Sequence, residues 1–443
     1  MAFRLGRERG LRIGLAERDK LGGECTHYGC VPTKVMLRSA KIAALARDAE
    51  RFGVNIPTVE VDFATVMDRV RAVIHAEAGA GAKPFEDIGV TVFMDAARLV
   101  GPHEIEMADG TKIHADRIVL ATGTTPQIPP IPGLSGSPFW TNKEAIWTPT
   151  DLPASLAVVG SGAVGIEFAQ MYARFGTQVT MLESSPRILS NEDEDAARAL
   201  VPALEEGGIR VRVGVSVERV SHDEGGWTLD IEGSDAVFAE ELLVAKGREA
   251  CFDGHDLAAA GVSLDVEGRP ILGETLRTTS PDVWAAGDAT GELLFTHVGT
   301  YEAGLVVADI LGRPRVRDYR VVPRVTFCDP EVASVGLTEE QARSAGYEVR
   351  TSVAPLAENE RARIDGVPHG LVKLVASATD GELLGGHIVG GGAGAMIHEV
   401  VAMMAGRLEA RTIADAIHAY PTLSESVKSA AEEISDPRGL RPR

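Results

Sequence analysis

Apolar residues along the chain form short runs that alternate with longer amphipathic segments, a pattern typical of an α/β protein. The run LRIGLAERD, which starts at residue 11, ends on acidic residues as a buried parallel strand of a dinucleotide fold does. Helical periodicity follows over about 32–52, and Gly53 is the predicted stop. The run DRIVLATGTTP predicts a strand that ends in the Thr122-Gly123 turn. These elements predict the first part of a dinucleotide-binding domain.

A second unit of strand, glycine turn, helix and strand is predicted by ASLAVVGSGAVGIEFAQMYARFGTQVTMLE. In its G-x-G-x-x-G motif Gly160 permits the turn, Gly162 admits a pyrophosphate, and Gly165 lets helix and strand approach. Glu183 ends the next strand, where a carboxylate accepts hydrogen bonds from a ribose 2′-hydroxyl and repels a 2′-phosphate. We therefore predict NAD(H) binding and interpret Arg187 as a solvated loop arginine.

Strand patterns continue through IRVRVGVSVERVS and WTLDIEG to ELLVAKGREA, which turns at Gly247. The segment PDVWAAGDATG follows and contains Gly287 and Asp288. From about Val321 the pattern changes to RVTFCDPEVASVGLT, GLVKLVASATDGELLGGHIVG and helical segments, which predicts an antiparallel sheet backed by helices. The predicted fold class is α/β, with two Rossmann-like dinucleotide-binding domains and a C-terminal α+β domain.

Charge and composition restrict the partners and the compartment. The 443-residue chain carries a formal charge of −20 and has a pI near 5.0, so we expect neither nucleic acid nor a membrane surface as a partner. The sequence contains no run of about eighteen apolar residues, and MAFRLGRERG does not read as a signal peptide. Four cysteines indicate a reducing compartment, and we predict a cytoplasmic protein.

Two of the cysteines, Cys25 and Cys30, are close together in LGGECTHYGCVPTK, whereas Cys251 and Cys328 are isolated and expected to be buried. The close pair is open to four interpretations: chance, two structural thiols, half a metal site or a redox disulfide. No second close pair completes a tetrahedral zinc set, so we predict no metal site. A regular helix would hold the pair too far apart for a disulfide, so we expect Cys25 in a loop or distorted turn. Cys30 then opens a helix that Pro32 marks, and a reactive dithiol is the preferred interpretation.

The run GGECTHYGCVPTK, residues 22–34, resembles the active-site signature of the class I pyridine nucleotide-disulfide oxidoreductases. These flavoenzymes include lipoamide dehydrogenase, glutathione reductase and mercuric reductase. The similarity extends through the turn at 121–123, the second glycine motif, the Gly-Asp pair at 287–288 and HAYPTLSE, and so covers almost the whole chain. The resemblance implies an FAD-binding domain at 1–148 and 269–318, an NAD(H)-binding domain at 149–268 and a dimerisation domain at 319–443.

The resemblance also implies a role for each site residue. Cys25 is the interchange thiol that meets the substrate, and Cys30 is the charge-transfer thiol beside the flavin. Lys34 approaches flavin N5 and pairs with Glu167, which is physically reasonable because a cation stabilises a reduced flavin and a carboxylate keeps a buried ammonium charged. The implied cofactor ligands are Glu17 at the adenosine ribose, Asp288 at the ribityl chain, and Thr122, Gly123, Gly160, Gly162, Gly165, Glu183, Gly247 and Gly287.

The chain departs from the family pattern at its N-terminus. The family opens with a strand and a glycine-rich turn that holds the FAD pyrophosphate about thirty residues before the cysteines. Here 24 residues precede Cys25, and LRIGLAERD corresponds to the second strand. We therefore expect either a translation start assigned too far downstream or a product that has lost its FAD cradle and holds FAD weakly or not at all.

A second departure lies in HAYPTLSE. Lipoamide dehydrogenase and glutathione reductase carry His-x-His-Pro there, and the histidine before proline shuttles protons across the dimer interface. Tyr420 occupies that position, and a phenol is a poor base at neutral pH. Glu425 is the predicted orienting carboxylate, and His418 would substitute only with a different backbone. Mercuric reductases carry tyrosine at this place, together with a C-terminal cysteine pair that the ending SDPRGLRPR does not contain.

Together these features predict an NADH-dependent flavoprotein disulfide reductase that acts as a homodimer, nearest to the mercuric-reductase-like branch. Electrons pass from NADH through FAD to the Cys25-Cys30 disulfide, and then to a small disulfide or a soft metal ion such as mercury(II). Two alternatives remain open. One is a flavin-dependent NADH oxidase or quinone reductase without dithiol exchange, which Tyr420 favours. The other is a non-catalytic dimer without FAD, which the short N-terminal region favours.

Overall fold

A computed structural model describes residues 2–367 and 369–436, and the chain divides into two compact units. The first unit comprises 1–35, 67–127 and 247–318, and the second comprises 36–66, 128–246 and 319–443. Two helices, Cys30–Arg47 and Phe63–Ala78, include residues of both units. The domain boundaries given above from the sequence stay a prediction.

The first unit contains short parallel and antiparallel strand groups. Ile13–Ala16 pairs in parallel with Val90–Phe93, and Ile118–Leu120 pairs in parallel with Val283–Ala285. The antiparallel strands are Ala97–Gly101, Glu104–Met107 and Lys112–His114 in one sheet, and Thr124–Pro126 with Arg248–Ala250 in another. The helical segments are Ala2–Glu8, Gly23–His27, Lys83–Glu86, Leu257–Ala260, Gly287–Thr290 and Thr296–Ile310. The strands predicted from LRIGLAERD and DRIVLATG are therefore confirmed.

The middle part of the second unit is built on a parallel sheet. Its strand order is Ile209–Val213, Gln178–Glu183, Ser155–Val159 and Glu241–Val244. Helix Ala163–Phe175 connects the two central strands and is buried along most of its length, so the predicted strand, turn, helix and strand unit is confirmed. The other elements of this part are Ala49–Phe52, Asn142–Trp147, Glu194–Glu206, and the antiparallel strands Val217–Asp223, Gly226–Ile231 and Ser234–Ala239.

The C-terminal part of the second unit is an antiparallel sheet backed by helices, as predicted. Its strand order is Arg324–Thr326, Glu331–Gly336, Leu383–Gly390, Leu371–Ser377 and Val349–Pro355. The helical segments are Glu339–Ser344, Leu356–Glu358, Glu360–Ile364, Ala393–Ala405, Ala410–Asp415 and Glu425–Ser435. A large apolar core joins the sheet to the helices Ala393–Ala405 and Glu425–Ser435. Burial of one face of each helix against the sheet holds this part together.

Two expectations about local structure need correction. The helix predicted over 32–52 is divided into Cys30–Arg47 and the 3₁₀ turn Ala49–Phe52, with Gly53 at the end as predicted. Cys328 is buried as expected, but Cys251 is only half-buried, because the strand that precedes it is a short, partly exposed one. Among the described residues, no helix is both long enough and apolar enough to span a bilayer.

Candidate active site

The two signature cysteines lie in consecutive helical segments of the first unit. Cys25 sits in a single helical turn, Gly23–His27, and Cys30 begins the next helix. Both are free thiols; Cys25 is half-buried and Cys30 is exposed. The first turn closes because the Tyr28 N–H donates to the Glu24 carbonyl oxygen at 2.8 Å. Cys30 thus opens a helix as predicted, and Cys25 lies before it in a separate single helical turn, where the sequence predicted a loop or a distorted turn.

Thr296, the first residue of a long helix, completes the thiol site. Its Oγ1 lies 3.8 Å from Cys30 Sγ, and the hydroxyl also bonds to Cys25. A hydrogen bond from Cys30 is the largest of several effects that together outweigh burial and lower the pKa of Cys25 to about 6. Thr296 and the charge of Lys34 act in the same direction. The same thiol contact raises the pKa of Cys30, so the pair keeps one proton and carries one thiolate at neutral pH.

A chain of polar contacts runs from Asp288 towards the cysteine turn. Asp288 Oδ2 accepts a hydrogen bond from Thr124 Oγ1 at 3.1 Å, and burial raises the pKa of this carboxyl. Arg248 Nε donates to the same threonine oxygen at 2.8 Å. Arg248 Nη1 also lies 3.2 Å from an oxygen of Glu24, the residue before Cys25. The predicted ribityl ligand is therefore connected through Thr124 and Arg248 to Glu24, the residue that precedes Cys25 in the chain.

The environment of the Thr122 side chain indicates whether this part of the first unit can hold a cofactor. Its Oγ1 is buried and finds no hydrogen-bond partner among the described residues, a state that costs about 1–3 kcal/mol unless a bound group supplies the partner. Beside it, a Cβ built on Gly123 would meet no atom within 4 Å, so the turn leaves room. The residues present therefore fit a polar group such as FAD.

The remaining predicted flavin ligands are held by backbone contacts. The Gly287 N–H donates to the buried carboxylate of Glu302 at 2.6 Å. Glu17 follows the first strand, and its Oε1 accepts a hydrogen bond from the Asp19 N–H at 2.8 Å. Gly247, predicted to bind a cofactor, accepts a hydrogen bond from a backbone N–H at 2.9 Å. Their roles as ligands stay a prediction.

The second glycine motif has the steric properties that a dinucleotide turn requires. Gly160 has φ of 112°, and a Cβ there would lie 2.3 Å from the Ala245 carbonyl oxygen. A Cβ on Gly165 would lie 2.1 Å from the Gly160 carbonyl oxygen, so both positions exclude any larger residue. At Gly162 a Cβ would meet nothing within 4 Å, which leaves space for a phosphate. Glu183 ends the adjacent strand and accepts hydrogen bonds from this turn.

Lys34 and Glu167 lie in different compact units. Lys34 Nζ is 3.4 Å from Thr33 Oγ1. Glu167 is 5% exposed, and its Oε1 accepts a hydrogen bond from the Phe327 N–H at 2.9 Å. Their pairing stays a prediction.

Tyr420 lies on the surface of the C-terminal part with 70% of its area exposed. Its Oη donates a hydrogen bond to Glu360, and this contact raises the pKa of Tyr420. Glu425, predicted to orient residue 420, begins the last helix, and its Oε2 accepts a hydrogen bond from the Thr422 N–H at 2.9 Å. His418 Nε2 lies 3.0 Å from a carboxylate oxygen of Glu399. The structure thus brings Tyr420 to Glu360, a residue that the sequence did not indicate.

The structure adds site residues that sequence reasoning missed, and metal ligands are not among them. The additions are Thr296 at the thiols, Arg248 and Glu24 beside Asp288, Lys246 beside Glu183, and Glu360 beside Tyr420. In the part of the chain that the structure describes, no three His, Cys, Asp or Glu side chains come together as a metal site would require.

The glycine turn, the unpartnered Thr122 hydroxyl and the close cysteine pair are features of a nucleotide-dependent oxidoreductase. The chain belongs to the pyridine nucleotide-disulphide oxidoreductase family: residues 1–303 match that family, and residues 322–431 match its dimerisation domain. The family and fold class predicted from the sequence are therefore confirmed.

Curated relatives and solved structures agree with this assignment. The chain is 37% identical to a dihydrolipoyl dehydrogenase of Chlorobaculum tepidum over 95% of this chain and 92% of the relative. It is 33% identical to a mercuric reductase of Staphylococcus aureus over 96% of this chain and 78% of the relative. Its fold is similar to the HOCl-induced flavoprotein disulfide reductase RclA of Escherichia coli, with 28% identity and a TM-score of 0.87 over 97% and 96% of the two chains. Dihydrolipoyl dehydrogenases and mercuric reductases use FAD and NAD(P)H, in agreement with the cofactor prediction.

Proposed function

We propose that the chain is an NAD(P)H-dependent flavoprotein reductase whose Cys25 thiolate passes electrons to an external acceptor. The observation that carries this proposal is the contact of Cys25 with Cys30 and Thr296, which lowers the pKa of Cys25 to about 6. A thiolate is both the nucleophile of disulfide exchange and a ligand for soft metal ions. The site therefore holds the reactive form of sulfur at neutral pH.

A bound FAD would supply the two-electron carrier between the nicotinamide coenzyme and the dithiol. Lys34, paired with Glu167, would place a positive charge at the flavin. The residues proposed to hold FAD are Glu17, Thr122, Gly123, Gly287 and Asp288, and those proposed to hold the coenzyme are Gly160, Gly162, Gly165, Glu183 and Gly247. We further propose that the chain forms a homodimer, which the match to a dimerisation domain supports. The location that we propose for it is the cytoplasm.

Cys25 makes the first attack on the substrate, because its thiol ionises at a lower pH than that of Cys30. The reduced Cys25 thiolate attacks one sulfur of a substrate disulfide and expels the other sulfur as a thiolate, which takes up a proton. Cys30 then loses its proton and attacks Cys25 Sγ, releasing the second substrate thiol and leaving the Cys25-Cys30 disulfide. Two electrons have moved to the substrate, and NAD(P)H restores the dithiol. A soft metal ion would instead bind the thiolate and accept the electrons.

Regeneration of the dithiol provides the direct test. When the FAD-containing protein is first oxidised, anaerobic addition of NADH or NADPH should produce two new thiols per chain, because the acceptor of the electron pair is the Cys25-Cys30 disulfide. Thiol titration with a chromogenic disulfide after removal of excess coenzyme measures this number. Coenzyme oxidation without new thiols would favour a flavin oxidase or quinone reductase instead.

Tyr420 bears on the choice between the two acceptors. Tyr420→His should raise reduction of lipoamide or glutathione disulfide about ten-fold or more, since a well-placed imidazole takes up and releases protons near neutral pH, whereas a phenol is a poor base there. Glu360, which accepts a hydrogen bond from Tyr420 here, is placed to hold the new ring. Steady-state rates with each disulfide measure the gain.

The matched control is Tyr420→Phe, which removes the hydroxyl without adding a base and should give no gain. If Tyr420→His lowers disulfide turnover and also abolishes mercury(II)-dependent NADH oxidation, the tyrosine belongs to a metal-reducing site, and the acceptor is the metal ion. That second result would assign the chain to the mercuric-reductase-like branch.

A further inference from the structure

The carboxylate of Glu183 is surrounded by hydrogen-bond donors. Its Oε2 accepts the N–H of Ser161 at 3.0 Å and the hydroxyl of the same serine at 2.9 Å. Its Oε1 accepts the Ser185 N–H at 2.8 Å and the Ser184 hydroxyl at 3.2 Å. Lys246 Nζ adds a further contact at 3.4 Å to Oε1 and donates to Ser184 Oγ at 3.1 Å. About four acceptor positions of the carboxylate thus face five donors, and a ribose hydroxyl can bind only by replacing one of them.

Of the five donors, Lys246 is the one that a ribose hydroxyl can replace most easily. Its contact is the longest of the five, and its side chain is 27% exposed, whereas that of Glu183 is 9% exposed. The lysine stem runs beside the glycine turn, because a Cβ on Gly160 would lie 3.3 Å from Lys246 Cδ. The ammonium therefore lies at the same edge of the parallel sheet as the glycine turn, within reach of Glu183.

The second cation near this edge is directed elsewhere. Arg187 donates through Nη1 to the Leu189 carbonyl oxygen and through Nη2 to the Ser190 carbonyl oxygen, each at 2.8 Å. It is tied to its own loop, as the sequence indicated, but it is partly buried and not fully solvated. Hydrogen bonds and Lys246 outweigh burial and lower the pKa of Glu183 to about 2, so the carboxylate is charged at every working pH. The local charge is then close to zero, because one carboxylate faces one ammonium.

We propose that Lys246 determines coenzyme specificity by offsetting the charge of Glu183 and by offering a cation to the 2′-phosphate of NADPH. The inference rests on the proposed function only in that the glycine turn binds a dinucleotide. Glu183 alone would repel a 2′-phosphate, whereas the pair accepts it. In the NADH complex the ribose hydroxyls replace Lys246 at the carboxylate, and in the NADPH complex the lysine turns to the phosphate. The preference for NADH over NADPH should therefore be smaller than Glu183 alone predicts.

Binding of coenzyme fragments tests this without any contribution from the flavin. ADP-ribose and 2′-phospho-ADP-ribose are titrated calorimetrically into the full chain and into Lys246→Met. The variant should bind 2′-phospho-ADP-ribose about ten-fold more weakly, because one charge-assisted contact is lost, and ADP-ribose within about three-fold of the parent. Added salt should reduce the difference between the parent chain and the variant, as screening of an exposed charge requires.

Two further variants separate charge from folding. Lys246→Arg keeps the charge and should retain binding of the phosphorylated fragment, and Lys112→Met removes an exposed lysine of the first unit and should change neither ligand. Equal weakening of both fragments in Lys246→Met would overturn the proposal, since the lysine would then bind the shared diphosphate. Unchanged affinity for both fragments in Lys246→Met would also overturn it, while leaving the dinucleotide site intact. Failure of both fragments to bind the parent chain would overturn the coenzyme site itself.

Discussion

Replacing Cys25 by serine is expected to lower NADH-dependent reduction of a small disulfide or of mercury(II) by about 10³-fold or more. In the proposed mechanism the thiolate is the attacking group, and the contact with Cys30 and Thr296 that ionises it has no counterpart in a serine hydroxyl. Coenzyme oxidation by oxygen or a quinone should persist in the FAD-containing variant, because neither acceptor needs the dithiol. Initial rates of NADH oxidation with each acceptor measure both quantities.

The chain offers a matched control in Cys251, a half-buried cysteine of the same unit that takes no part in the thiol site. Cys251→Ser should leave every rate within about two-fold of the parent, as surface substitutions away from special features usually do. If Cys25→Ser retains disulfide or mercury(II) reduction at a comparable rate, electrons leave the flavin directly. The oxidase or quinone reductase alternative would then replace the dithiol mechanism.

The sequence predicted those parts of the site that depend on neighbours in the chain. The glycine turn follows from local backbone geometry, since Gly160 has a φ of 112° and a Cβ on Gly165 would collide with the carbonyl oxygen of Gly160. The helix that Cys30 opens follows from the proline two residues later. Local stereochemistry allows few alternatives at such positions, and the family signature adds the chemistry.

The residues that the sequence did not indicate reach the site from far along the chain. Thr296 is separated from Cys30 by 266 residues, and Glu360 from Tyr420 by 60. Such contacts depend on how whole elements pack, which no local pattern records. Lys246 is an intermediate case: it follows Glu241–Val244, a strand of the same parallel sheet as the one that Glu183 ends. Since the carboxyl ends of parallel strands share one edge of the sheet, the sequence could have indicated that Lys246 and Glu183 lie close together.

Replacing Lys373 by methionine is expected to lower the free energy of unfolding by about 3–5 kcal/mol. Lys373 is 3% exposed, and its Nζ lies 3.0 Å from Asp193 Oδ1, 2.7 Å from Asp195 Oδ2 and 3.2 Å from Glu339 Oε2. Methionine has a similar volume but leaves Asp193, also 3% exposed, without its cation. The cost arises from a buried charge that neither water nor an ammonium compensates.

A second substitution separates this cost from lost packing. Asp193 Oδ1 also accepts the Asp195 N–H at 3.0 Å as the cap of helix Glu194–Glu206, and an asparagine oxygen can do the same. Asp193→Asn in the Lys373→Met background should therefore restore at least about 1 kcal/mol. Lys112→Met, on an exposed position of a strand, should change the unfolding free energy by less than about 0.5 kcal/mol.

The difference between the parent chain and Lys373→Met should also depend on pH. Burial alone would raise the pKa of Asp193, but His387 and Lys373 outweigh it and hold the pKa below its ordinary value. A carboxyl whose pKa is lower in the folded state stabilises the fold above its unfolded pKa, and this stabilisation is lost as the pH falls. The difference should thus be largest near neutral pH and shrink as the pH falls, first where the buried Asp193 of the variant takes up a proton above its ordinary pKa, and further below about pH 4, where the carboxyl of the unfolded chain also takes up a proton. Urea unfolding followed by tryptophan fluorescence at both pH values measures it. A difference that stays constant with pH, or one below about 1 kcal/mol at neutral pH, would mean that Lys373 does not compensate a buried carboxylate.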